Sequence, residues 1–397
     1  MKLSERVSKI IQSPTMKVAQ QAIEMKARGE DIIDLTVGEP DFPTPQNIKE
    51  AAIKAINNNF TKYTVNTGAI QLREAIVKKL FKDHGLSYSA NQIIVSTGAK
   101  QSVFNAIQSI VFDGDEVITS SPFYVSYPEM VKIAGGVNII LPTTEETGFK
   151  LTPQKLKDAI TPKTKLFILC NPSNPTGTAY TQKELEEFSE IFEGGNFYLL
   201  TDEIYEKLVY DNFKFFSVAQ LSEKIKSKTV IVNGHSKSYS MTGWRLGYAA
   251  APEELVSAMN KYQSHSTSAT SSISQAAGIE ALLGQQITVE ESRIEFEKRR
   301  NFFHAGLTSI EGISCYKPQG AFYLFPNVSK LFGKTAGETK INNSIDLAMF
   351  LLADAKVATV PGSAFGSEGY LRMSYSTSLQ NLEEGIKRIK VSITKLK

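Results

Sequence analysis

Cysteine, histidine and tryptophan are scarce in this chain of 397 residues. The two cysteines, Cys170 and Cys315, stand far apart with no CxxC spacing. That argues against a disulfide framework and fits a reducing, cytoplasmic setting. The four histidines, His84, His235, His265 and His304, show no HExxH spacing, so a zinc site has no ligand set and no metal is expected. No run approaches the roughly 20 apolar residues of a membrane span, and the first ten residues lack the apolar core of a signal peptide. Charge of one sign is not in excess: 44 basic residues against 41 acidic ones leave +3. Nucleic-acid binders concentrate basic charge on one face, so neither nucleic acid nor membrane is an expected partner. The glycine fingerprints GxGxxG and GxxxxGK[ST] are both absent, which removes the usual signals of a nucleotide-binding α/β protein.

What is present is ordinary globular composition, 42% hydrophobic and 21% charged. The length exceeds one ordinary core. There is no internal repeat. Short apolar runs at Ile93–Ser96, Glu116–Thr119, Leu166–Cys170, Phe197–Thr201 and Val230–Asn233 read as buried strands. Helical patterns separate them: Val103, Phe104, Ile107, Ile110 and Val111 recur at helix spacing, and Thr181–Glu184 is a capping box. Thr44-Pro45 and Thr152-Pro153 place a cap residue before a proline at the first helical position. Alternating strands and helices predict a mostly parallel central sheet flanked by helices. The C-terminal part differs, with a charged amphipathic helix over Glu291–Ile310 and possible strands at Gly320–Leu324, Val357–Pro361 and Leu371–Ser374. The expected organisation is a large domain over 46–290 and a smaller α+β domain over 291–397, with the segment 1–45 packing on the latter.

In open α/β sheets, ligands gather at the carboxyl ends of strands. After Ile93–Val95 comes Ser96-Thr97-Gly98-Ala99-Lys100, small residues entering a helix, where backbone N–H groups can reach a phosphate. After Leu166–Leu169 comes Cys170-Asn171-Pro172-Ser173-Asn174-Pro175-Thr176-Gly177, a stiff loop able to fix the Asn174 amide. After Phe197–Leu200 comes Thr201-Asp202-Glu203-Ile204-Tyr205. An acid at the end of a buried strand needs a partner, and a pyridinium N–H is one that would keep Asp202 ionised. After Val230–Val232 comes Asn233-Gly234-His235-Ser236-Lys237, which sets a lysine amine in a cleft where its pKa can fall. Arg245, eight residues on, suits a phosphate dianion. Singly, these features have plainer explanations: a tight turn, a rigid turn, a helix-capping aspartate, a solvated lysine. Together they compose a cofactor site with a phosphate cradle, a carboxylate for a ring nitrogen, a phenol, and an amine for an aldehyde.

The run Ser236-Lys237-Ser238-Tyr239-Ser240-Met241-Thr242-Gly243-Trp244-Arg245-Leu246-Gly247-Tyr248 closely resembles the lysine motif of class I aminotransferases. Asn171–Gly177, Asp202–Tyr205, Gly38-Glu39-Pro40-Asp41-Phe42 and Leu371-Arg372-Met373-Ser374-Tyr375 resemble further blocks of that family in the right order. The resemblance spans nearly the whole chain, and the branch it resembles most is the bacterial-type aspartate aminotransferases. It implies fold type I and pyridoxal 5'-phosphate as cofactor, held as a Schiff base on Lys237, which also moves the substrate α-proton. It implies that Asp202 pairs with the pyridine nitrogen and that Tyr205 and Asn174 bond the ring oxygen. Ser236, Arg245 and the backbone at Gly98, Ala99 and Lys100 hold the phosphate, and Tyr124 stacks on the ring. Arg372 clamps the substrate α-carboxylate, assisted by Asn174 and the Gly38 backbone. Tyr63 reaches the phosphate of a partner subunit, so a homodimer with shared active sites is implied. Two positions depart from the pattern: His235 stands where a small or apolar residue is usual, and Tyr124 where relatives often carry tryptophan.

The same resemblance implies ping-pong transfer of an amino group between amino acids and 2-oxo acids. Lys100 is implied to contact a distal carboxylate, which points to L-aspartate and L-glutamate with 2-oxoglutarate and oxaloacetate, and Thr15 is placed at the same end of the site. Rival readings are an aminotransferase for aromatic amino acids, kynurenine or prephenate, and a carbon–sulfur lyase of the same fold, since fold alone does not settle function. A non-enzymatic ligand sensor is a third, but no basic helix-turn-helix segment accompanies the fold.

Overall fold

A computed structural model describes Ile10 and residues 15–397; the side chains of Thr15, Met16, Lys17 and Ala19 lie outside the described residues. The predicted substrate contact Thr15 is therefore outside them too, although the helix Thr15–Ala27 begins there. The strands are β1 (Ile33–Asp34), β2 (Ile93–Ser96), β3 (Glu116–Ser121), β4 (Val137–Pro142), β5 (Thr164–Cys170), β6 (Tyr198–Asp202), β7 (Thr229–Gly234) and β8 (Gly247–Ala250). They continue with β9 (Tyr323–Leu324), β10 (Thr335–Ala336), β11 (Thr339–Lys340), β12 (Val357–Ala358), β13 (Val360–Pro361) and β14 (Leu371–Ser374).

Seven strands form the central sheet in the order β2-β8-β7-β6-β5-β3-β4. All neighbours are parallel except β8, which runs antiparallel to both β2 and β7. Both faces are covered, which is why the strands read as continuous apolar runs. Along β5, Leu166 and Ile168 join a cluster with Val103, Ile107 and Met259, whereas Phe167 and Leu169 join another with Leu156, Leu185 and Phe192. This is strand periodicity with a core on each side. The five predicted strands are all present, most extended by a residue or two at their ends.

Two strands escaped the sequence reading. β4 is the sheet edge and only partly buried, and β8, Gly-Tyr-Ala-Ala, has too few large side chains to read as an apolar run. Caps behaved unequally. Thr152 accepts from the Lys155 N–H with Pro153 at the first helical position, and Thr181–Glu184 forms the reciprocal box. Thr44, in contrast, does not cap the helix Gln46–Asn57; its hydroxyl donates to the Ser240 carbonyl at 2.7 Å and accepts from Trp244 Nε1 at 3.0 Å.

A further apolar cluster joins Val18, Ile33 and Leu35 to Phe303, Leu324, Met373 and Leu382. Tyr205 and Leu208, from the segment after β6, enter the same cluster. The expected strand over Val357–Pro361 is broken at Thr359. β12 pairs in parallel with β1, and β13 pairs antiparallel with β14 in a three-stranded sheet β13-β14-β9. Only Tyr323–Leu324 of the predicted Gly320–Leu324 is strand, and the long helix spans Ile287–Thr308. No helix among the described residues is long and apolar enough to cross a membrane.

Candidate active site

The carboxyl ends of β2, β5, β6 and β7 open onto one cavity of about 440 Å³. Of the residues singled out from sequence, Gly38, Ala99, Lys100, Tyr124, Asn174, Asp202, Tyr205, Ser236, Lys237, Arg245 and Arg372 line it. Gly98 stands just behind. With φ +82°, it starts the helix Ala99–Ile110, and a Cβ there would lie 2.5 Å from Arg245 Nη2. The positive φ favours glycine, and a side chain there would push the Arg245 guanidinium aside. Tyr63 is outside the cavity and 96% exposed.

Lys237 follows β7 and is half-buried, its amine donating to the Gly38 carbonyl. Burial lowers its pKa from 10.5 to about 8, and the cations Arg372 and Arg245 add to the effect against opposition from Glu39 and Asp202. An amine so placed is neutral in a useful fraction near neutrality. Asp202 ends β6 and is buried at the cavity wall; burial pushes its carboxyl up. The Tyr127 hydroxyl donates to its Oδ2 at 2.7 Å, and the Ile204 N–H to its Oδ1 at 3.4 Å.

Arg372 lies on β14, buried, with Nη1 donating to Asn174 Oδ1 at 3.1 Å and Nη2 to the Thr36 carbonyl at 2.7 Å. Its Nε has no hydrogen-bond partner. A buried, incompletely satisfied guanidinium is a place for an anion. Arg245 adopts φ +52° and donates from Nη1 to the Thr242 carbonyl at 2.8 Å, beside the first turn of the Ala99–Ile110 helix. Lys100 Nζ stands 5.5 Å from the centroid of the Tyr124 ring. A cation cluster of Lys100, Lys237, Arg245 and Arg372 around one cavity, with Asp202 at its base, fits a ligand bearing several negative charges and one protonated nitrogen.

The profile of the family described as "Aminotransferase class I and II" matches residues 30–389. The chain belongs to that family. It is 48% identical over 389 residues to an aspartate aminotransferase of Geobacillus stearothermophilus, covering 98% of each chain. It is 46% identical to a probable aspartate/prephenate aminotransferase of Rickettsia bellii, again with 98% of each covered. Among solved structures, it is similar to the aspartate aminotransferase of Rhizobium meliloti, with TM-score 0.97, 42% identity and 100% of both chains covered. It is also similar to that of Thermus thermophilus with maleate, with TM-score 0.93, 39% identity, and 99% of this chain and 100% of that one covered. The protein is an aminotransferase of fold type I, its mostly parallel sheet flanked by helices.

Several residues of this aminotransferase site were not singled out from sequence. Tyr127 lies three residues beyond Tyr124 at the start of the helix Ser126–Ile133, with ring centroids 5.3 Å apart. The two meet because a turn closed by the Tyr127 N–H to the Tyr124 carbonyl leads into the helix. Tyr323 and Thr242 line the cavity, and the Thr242 hydroxyl donates to Glu39 Oε2 at 2.6 Å. His235, the departure noted in the lysine motif, does not line the cavity. It is fully buried between Tyr239 and Tyr248, close to Gly278, with both ring nitrogens unpaired. Burial lowers its pKa to about 4, so it packs as a neutral ring.

Proposed function

We propose that this aminotransferase holds pyridoxal 5'-phosphate in the 440 Å³ cavity and moves an amino group between L-aspartate or L-glutamate and 2-oxoglutarate or oxaloacetate. The observation that carries the reading is the convergence of Lys237, Asp202, Arg245 and Arg372 on that cavity. The donor set fits the cofactor: an amine of lowered pKa, an enclosed carboxylate, a helix start beside an arginine, and a second arginine with an unpartnered Nε. When bound, the cofactor supplies an aldehyde that captures amines and a ring that takes up electron density from the substrate α-carbon.

Lys237 anchors the cofactor through its amine and, once displaced, takes and returns the α-proton. Asp202 accepts from the ring N–H, and its ionised form is held there by that charge and by the Tyr127 hydroxyl. Tyr205 and the free amide edge of Asn174 bond the ring oxygen. Tyr124 stacks on the ring. Ser236, Arg245 and the N–H groups at Gly98, Ala99 and Lys100 hold the phosphate. Arg372 binds the α-carboxylate, with Asn174 and Gly38 beside it. Lys100 takes the distal carboxylate.

Tyr63, 96% exposed, together with the exposed Phe60 and Val65, supports a homodimer in which Tyr63 of the partner subunit reaches the phosphate. The division at residues 45 and 290 and work in the cytoplasm belong to the same reading; the cysteines Cys170 and Cys315 are unpaired. The Rickettsia relatives named for aspartate and prephenate favour prephenate as a second acceptor class.

The test is the absorbance spectrum of protein purified with pyridoxal phosphate. L-Aspartate alone is expected to bleach the visible band, and 2-oxoglutarate to restore it. Lys237→Ala is expected to show no such band and no multiple turnover. A band that aspartate leaves unchanged removes the dicarboxylate assignment, and its absence in the unaltered protein removes the cofactor.

A further inference from the structure

Tyr323 touches groups from two separate parts of the chain and passes near a third. Its hydroxyl lies 3.0 Å from that of Tyr205. The face of its ring meets the Arg372 guanidinium, whose Cζ stands 4.5 Å from the ring centroid. A Cβ built on Gly38 would be 3.4 Å from the Tyr323 hydroxyl, so the Gly38 segment, whose carbonyl accepts from Lys237, passes near the same oxygen. The side chain is 1% exposed and lines the cavity.

The geometry assigns Tyr323 as a positioning residue that ties the carboxylate-binding arginine to the Tyr205 phenol. The assignment rests on the proposed roles of Arg372 and Tyr205. Strand register explains the tie. In the antiparallel pair β9 and β14, Tyr323 stands opposite Ser374. Ser374 is two residues from Arg372, so Tyr323 and Arg372 share a sheet face as diagonal neighbours. Tyr205, in contrast, follows the central strand β6. One rigid ring therefore spans the small sheet and the central one. Its face meets a buried cation whose Nη groups are already committed to Asn174 and Thr36, and its hydroxyl fixes the phenol aimed at the cofactor.

Two substitutions separate ring from hydroxyl. Tyr323→Phe keeps the ring against Arg372 and removes the bond to Tyr205; Tyr323→Leu removes both. The measurements are affinity of the pyridoxal-phosphate-loaded protein for succinate, an unreactive dicarboxylate, by titration calorimetry, together with kcat, KM for L-aspartate and melting temperature. Tyr323→Phe is expected to bind succinate within about twofold of the unaltered protein while kcat falls by roughly fivefold or more. Tyr323→Leu is expected to bind succinate roughly tenfold more weakly, with KM rising in step. Unchanged succinate affinity in Tyr323→Leu, or unchanged kcat in Tyr323→Phe, overturns the assignment. So does an equal loss of affinity in both variants that follows melting temperature. If Tyr323→Leu does not fold, the kcat of Tyr323→Phe decides. Failure of the substrate reading shows separately, as an unaltered protein that aspartate does not bleach; a succinate split between the variants in that protein would still support the tie.

Discussion

The amine of Lys237 is governed by its surroundings more than by its chemistry. Enclosure and the nearby Arg372 and Arg245 disfavour the ammonium form, moving the pKa from 10.5 to about 8. The neutral, nucleophilic form is therefore populated more than two pH units below where a solvated lysine becomes neutral. In cofactor-free protein, pulsed acetylation read by mass spectrometry is expected to label Lys237 with a midpoint near pH 8, well ahead of exposed lysines. Arg372→Met is expected to move that midpoint upward, since it deletes the largest charge opposing protonation. Labelling of Lys237 that rises only with the bulk lysines contradicts the burial argument. Little of this was visible in the residue order. The order places a lysine after a buried strand, but the two arginines come from the loop before β8 and from β14, and only folding brings them near.

At the scale of elements, the segment after β6 is pinned from behind. Helix Ile70–His84 presents Lys79 to Glu206, whose Oε2 also meets His84 Nε2 at 2.6 Å, while Lys207 pairs with Asp83 at 2.7 Å. Burial opposes the charge on both Lys79 and Glu206. The pair outweighs it, so Lys79 is held above its ordinary range and Glu206 well below. Glu206 follows Tyr205 directly, so this network anchors the backbone next to the phenol. Lys79→Met is expected to cost about 3–5 kcal/mol by leaving a buried carboxylate underpaired, and Lys79→Met with Glu206→Leu to recover most of it. Denaturant titration checks both. For Glu206, whose folded pKa is depressed, the stabilisation is present above its ordinary value of 4.5 and is lost as pH falls below it. A Lys79→Met protein as stable as the unaltered one would mean that the network contributes nothing. The legible elements were those with a sharp pattern: β5, β6 and β7 lie inside the sheet and read as apolar runs. The edge strand β4 and the small-residue strand β8 carry no such run, and the C-terminal strands of two to four residues are too short for a period to show.

The whole molecule has an exposed apolar stretch at Phe60, Tyr63 and Val65, with Ile53, Ile56 and Ile70 nearby in sequence. These exposed apolar side chains are what supports the proposed homodimer. Sedimentation equilibrium is expected to give twice the mass of one chain, and Tyr63→Phe to retain pyridoxal phosphate roughly tenfold less well through loss of one phosphate hydrogen bond. A monomer that keeps full cofactor affinity would rule out the shared site. The residue order by itself determined the strand–helix alternation and the loops that bring Asn174, Asp202 and Lys237 to the strand ends, because these depend on local pattern and side-chain type, whereas Arg372 stood out only through the resemblance to class I aminotransferases. The tertiary structure alone decided that Tyr127 serves Asp202, that Tyr323 joins Arg372 to Tyr205, and that His235 faces the core. Each of these depends on packing between segments distant in sequence, and for Tyr323, on a strand, a one-residue change of register would turn the side chain to the opposite face.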